Sequence, residues 1–142
     1  MNPLLVIAPV LLPFATGVLL LALRDLPKWV RRGIALMAML VQIVLAACLL
    51  EAVSGGEILV YRLGHWPAPW GIVLVADRLA AWLVLSTALL APFAMLHCGS
   101  GIDRSGRHFH VLFQMQLFGL NGAFLTGDLF NLFVFFEILL MA

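Results

Sequence analysis

The feature that most constrains this chain is the stretch Leu4 to Leu23, which has no charged member. As a helix rising about 1.5 Å per residue it is as long as the hydrocarbon core of a bilayer is thick. Comparable stretches recur at 33–53, 79–96, 110–125 and 128–142. Their polar content is small: the second carries only Gln42 and the near-terminal Glu51 as clearly polar members. With 64% hydrophobic residues and 11% charged ones, eight Lys+Arg and seven Asp+Glu cannot cover the surface of a soluble fold. The pattern predicts an all-α membrane protein with about five transmembrane helices, in a single transmembrane region over 1–142.

The first span contains Pro9 and Pro13. A proline removes a helix N–H and frees a carbonyl, which a membrane interior tolerates only if neighbouring groups take that carbonyl up. A kinked, unbroken helix is expected. The span is not a secretory signal, because it lacks a basic n-region, is too long, and is followed by further spans. Between the second and third spans lie two short β-prone runs, Ile58-Leu59-Val60-Tyr61 and Ile72-Val73-Leu74-Val75, separated by a Gly/Pro/Trp stretch with Trp66 and Trp70. This reads as a short external β-hairpin on the membrane surface, its Trp rings in the headgroup layer. The fifth span stops at Ala142, about 22 Å along a helix from Asp128, and a helix ending there would strand carbonyls in lipid. The chain is therefore expected to be a fragment.

Orientation follows from Lys and Arg in short connections. The first connection carries Arg24, Lys28, Arg31 and Arg32, and the third carries Arg104 and Arg107 with His97 and His108 nearby. The second has Arg62, with Arg78 at its border, and the fourth has no Lys or Arg. The first and third connections should be cytoplasmic, which puts the N-terminus outside. The net charge of +1 says nothing about nucleic acid, the basic residues sit in short loops rather than in a patch, and no nucleic-acid partner is expected.

Chemistry in such a chain concentrates on Glu137. It follows Asp128 by nine positions, about 13–14 Å along a helix, close to the bilayer midplane. A carboxylate at that depth either faces a protein interior with a cationic or hydrated partner, or stays protonated; both states suit a proton relay. The plainer alternative is a protonated Glu acting as packing glue between helices. Phe130, Phe133 and Leu140 share its face and Phe135 and Phe136 flank it, while no Lys or Arg lies at similar depth in the five spans. A cationic partner would have to come from elsewhere.

The supporting residues have more ordinary readings. Asp128, after Thr126-Gly127, is placed to cap the fifth helix. Gln114 and Asn121 are seven apart and share a face of the fourth span, where interhelical hydrogen bonds beside Gly119 and Gly122 are favoured over a polar stripe supporting a water wire. His110, near the cytoplasmic end of that span, is a proton-passing candidate, with a solvated interfacial histidine the favoured reading. Asp77 and Arg78 can form an ion pair that anchors the hairpin. Cys48 and Cys98 are far apart in sequence and have no ligand-spaced partners, so neither a disulfide framework nor a metal site is expected. No phosphate loop, dinucleotide fingerprint or nucleophile triad is present, and no cofactor is implied.

The stretch Thr126-Gly127-Asp128-Leu129-Phe130-Asn131-Leu132-Phe133-Val134-Phe135-Phe136-Glu137 resembles the proton-translocating antiporter-like subunits. This is the family shared by Mrp-type multisubunit cation/proton antiporters and the membrane arm of respiratory complex I, and within it the motif looks most like that of the Mrp D subunits. Leu74-Val75-Ala76-Asp77-Arg78-Leu79-Ala80-Ala81 is similar to the family's third-span entrance. The resemblance implies about fourteen spans with two inverted repeats, of which this chain would hold the beginning. It implies a multi-pass protein of the bacterial inner membrane, partnered by other antiporter subunits, lipid, protons and a monovalent cation such as Na⁺. Glu137 matches the family glutamate that pairs with a lysine of a later span. The resulting reading is a transporter subunit rather than an enzyme. Its alternatives are a proton-pumping subunit of a redox complex and a structural membrane scaffold.

Overall fold

Pro9 and Pro13 leave the first helix unbroken: α1 runs over Leu4–Ala22 with both prolines inside it and buried. The computed structural model describes residues 4–65, 71–98 and 108–142. Four more helices follow, α2 over Lys28–Val53, α3 over Arg78–Cys98, α4 over Phe109–Leu125 and α5 over Leu129–Met141. By length and composition α1, α2 and α3 can each cross a membrane. With 17 and 13 residues, α4 and α5 are shorter.

The second helix starts five residues before the expected 33–53. Pro27 stands at its N-cap with extended ψ, and a proline whose φ is preset fits a helix start where its missing N–H costs nothing. The 26 residues of α2 then reach about 39 Å, longer than the hydrocarbon core and close to the full bilayer with its headgroups. Arg31 and Arg32 thus belong to the helix rather than to a loop, and Arg31 is buried. Arg104 and Arg107, Trp66 and Trp70, and the turn of the expected hairpin lie outside the described residues.

Buried positions on α2 fall at Ala35, Met39, Gln42, Ala46, Leu49 and Val53, alternating steps of four and three. That is the a/d spacing of a helix whose seam follows one set of neighbours. The opposite side of the helix exposes Met37, Leu40, Val41 and Val44. Apolar side chains on both faces are what a lipid-embedded helix requires. Two core clusters result. One gathers Val6 and Val10 of α1, Leu49 and Val53 of α2, Val84 of α3 and Phe135 of α5. The other joins Leu20, Met39, Met95 and Leu117.

Between α2 and α3, strand β1 (Leu59–Arg62) pairs antiparallel with β2 (Val73–Ala76), with Leu59 opposite Ala76 and Arg62 opposite Val73. Leu74 and Ala76 point into the first core cluster, so one face of β2 closes that end of the bundle. A further bridge pairs Leu74 with Thr126, which brings the α4–α5 connection alongside β2.

Candidate functional site

The segment Thr126-Gly127-Asp128 decides where α5 begins. The Gly127 N–H donates to Val73 O across 2.9 Å. An ideal Cβ on Gly127 would lie 2.5 Å from Val75 Cγ2, so only glycine lets the connection approach the sheet this closely. Asp128 takes the N-cap as expected, its Oδ1 accepting from the Phe130 N–H at 3.2 Å. Thr126 Oγ1 accepts from Asn131 Nδ2 at 3.2 Å and donates to Asp128 O at 3.2 Å.

The inward face of α5 is set by Asn131 and Phe135. Phe135 fills the space that a Cβ on Gly122 would need, and Leu139 lies where one on Gly119 would point. The Phe135 ring meets Phe118 edge-on at 5.5 Å. Glu137 is two positions, about 200°, around the helix from Phe135. It is exposed, as are Phe130, Phe133, Phe136 and Leu140. Among the described residues its carboxylate has no hydrogen bond or ion pair. The interior expected around Glu137 is thus not furnished by these five helices.

The remaining candidates fall on other surfaces. Asp77 and Arg78 form no ion pair with each other. Asp77 Oδ1 accepts from the Ala80 N–H at 2.7 Å and caps α3. The Arg78 guanidinium donates to the carbonyls of Val53 and Ser54 at the end of α2. Adjacent side chains at a helix start diverge, and each finds a helix end of opposite partial charge. His110 is buried, at 5% exposure, with its ring edge-on to Phe109, which corrects the solvated reading. His97 and His108 are exposed. Placing His110 on the same side of α4 as Gln114, one turn away, accounts for its burial.

Gln114 and Asn121 reach across to other helices. Gln114 Nε2 donates to Ala35 O of α2 at 3.3 Å, and Asn121 Nδ2 donates to Pro9 O of α1 at 3.0 Å. Gln42 Nε2 of α2 donates to the same Pro9 carbonyl at 3.0 Å. Pro13 has no N–H to offer that oxygen, so two carboxamides replace the bond the helix lost. Sequence reasoning gives Gln42 no role, although its being the one polar residue at mid-span is a usable signal. Among the described residues no three His, Cys, Asp or Glu side chains gather as metal ligands, and both cysteines are free.

The chain matches known membrane proteins along nearly all of its length. It is 44% identical over 143 residues, 97% of the chain, to the D subunit of a probable K⁺/H⁺ antiporter of Rhizobium meliloti. It is 42% identical over 97% of the chain to the D subunit of the Na⁺/H⁺ antiporter of Alkalihalophilus pseudofirmus. The matches cover 26% and 28% of those proteins, so the chain spans about a quarter of their length. Its fold superposes on a chain of the Mrp complex from a Dietzia species with a TM-score of 0.80 at 26% identity, covering 99% of this chain and 26% of that one. A chain of the membrane-bound sulfane sulfur reductase, an archaeal respiratory membrane complex, gives 0.87 at 26% identity, covering 99% and 29%. No family model matches. In sequence and in fold, this multi-pass membrane chain is a homologue of about one quarter of the D subunit of the Mrp-type monovalent cation/proton antiporters.

Proposed function

We propose that the chain serves as part of a membrane subunit in a multisubunit monovalent cation/proton antiporter, with Glu137 as a proton-relay carboxylate. The observation that carries this reading is the placement of Glu137 on the unpartnered face of α5. A carboxylate left to lipid at mid-bilayer costs about 2.5–3.5 kcal/mol on insertion scales. Its natural surroundings are therefore protein helices or water outside these five. A cationic or hydrated partner supplied there would give the carboxylate a group to exchange protons with. All five helices span the membrane in this reading, the two-stranded sheet is external, and the N-terminus is external. The subunit sits in a bacterial inner membrane beside other subunits of the complex.

A redox-driven proton pump is the second reading, supported by the fold likeness to a chain of a respiratory membrane complex. A scaffold with Glu137 as packing glue is the third. Na⁺- or K⁺-driven proton flux in everted vesicles holding the assembled complex separates them, comparing wild type with Glu137→Gln. Lost flux with normal assembly supports the relay in an antiporter. Flux retained in full removes Glu137 from the proton path and leaves the scaffold. Proton movement that needs an electron donor and no cation gradient would establish the redox reading.

A further inference from the structure

The junction of α1, α2 and α4 carries a second polar feature, remote from Glu137. Pro9 O can only accept, so Gln42 and Asn121 must both turn their NH₂ groups toward it. That fixes the orientation of each amide without appeal to hydrogen positions. Gln42 Oε1 is thereby directed away from Pro9. It is fully buried and has no donor among the described residues. An acceptor left so in a protein interior loses its bonds to water with nothing in return.

At the same junction lies a small cavity of about 10 Å³, with Pro13, Met39, Gln42, Gln114 and Leu117 in its wall. A cavity needs about 10–15 Å³ to hold one water, and the water needs two to four polar partners. Two carboxamides border this one. Gln114 commits one N–H to Ala35 O, at the long distance of 3.3 Å, and keeps a second. The space is too small for an organic molecule. A bare monovalent cation would find few oxygens there, since most of the wall is apolar.

We propose that this cavity binds a single ordered water, which donates to Gln42 Oε1 and bonds to the Gln114 carboxamide. The water joins two separate interhelical contacts into one chain, from Ala35 O through Gln114, water and Gln42 to Pro9 O and Asn121. Asn121 Oδ1 does not line the cavity and takes no part. The binding site is thus a by-product of satisfying the carbonyl that Pro13 leaves free: the amide that donates to Pro9 O has its own oxygen left without a donor, and water completes it.

The test is a structure of the full-length protein in lipid nanodiscs, at a resolution that shows ordered waters, for wild type and for Gln42→Met. The expected result is one spherical peak in the wild type, about 2.7–3.2 Å from both carboxamides, and its loss in the variant. Hydroxyl-radical footprinting supplies a second readout: Met39, at 1% exposure, should be oxidised in wild type and at least several-fold less once the water is gone. An empty cavity, a protein donor on Gln42 Oε1, or a peak ringed by more than three oxygens at cation distances would each overturn the proposal. Should the variant fail to fold, the wild-type peak decides alone.

Discussion

The N–H of Gly127 donates to the carbonyl oxygen of Val73 across 2.9 Å, and this bond ties the start of the Glu137-bearing helix to the two-stranded sheet. The same approach puts an ideal Gly127 Cβ 2.5 Å from Val75 Cγ2. Gly127→Ala should therefore destabilise the chain by about 1–3 kcal/mol, the usual cost of overpacking a fitted contact. Val75→Ala in the same molecule removes the clashing methyls and should return most of the loss. Denaturant unfolding in detergent of the two single variants and the pair measures this; additive effects would show that the contact is not where the strain lies.

Asp77 and Arg78 offer a contrasting case, in which neighbours in sequence act separately. Asp77→Ala removes the α3 cap, and Arg78→Met removes the donors on the last carbonyls of α2. Each should cost about 1 kcal/mol. The double variant should equal the sum to within about 0.5 kcal/mol, since the two share no partner. A double-mutant cycle with a coupling well above that would restore the ion pair the sequence suggested.

How much of this is legible in the residues follows from what lipid does to a pattern. The helices are visible because apolar stretches of membrane length have few alternatives, and the capping by Asp128 is visible because Thr-Gly-Asp before an apolar run has a mechanism. Which face turns inward is less open to reading, because Leu40 and Val44 toward lipid are as apolar as Leu49 toward the core. The inward faces are marked by small and polar residues instead, such as Gln42, Gln114, Gly119 and Asn121, as expected where association relies on close packing and hydrogen bonds. Arg31 and His110 mislead for a related reason. Charge suggests solvation, whereas long or aromatic side chains near a helix end can bury their bodies between neighbours. The surroundings of Glu137 cannot be read from residues that do not supply them.

Glu137→Gln should leave the fold of these five helices intact. The carboxylate is exposed and without a hydrogen bond or ion pair among the described residues, so the change in stability should stay within about 0.5 kcal/mol. Thermal unfolding and yield of the 142-residue chain in detergent provide the check. A loss of several kcal/mol would mean that Glu137 makes a contact that holds these five helices together, and loss of transport in the variant could then no longer be assigned to the relay.

The carbonyl that Pro13 leaves free makes the sharpest prediction, because Pro9 O has two donors and needs one. Gln42→Met and Asn121→Leu should each cost about 1 kcal/mol, the order found for a hydrogen bond between membrane helices. Together they strand the carbonyl in an apolar interior and should exceed their sum by about 1–2 kcal/mol. Pro13→Ala supplies the N–H that an uninterrupted helix would give to Pro9 O, so adding it to the double variant should abolish that excess. The readout is unfolding of the single, double and triple variants under one set of conditions. If the double is merely additive, either amide suffices only by chance of packing. If Pro13→Ala fails to relieve it, the penalty comes from the lost volume and shape of the amides, and the carbonyl freed by Pro13 is not what they are there to satisfy.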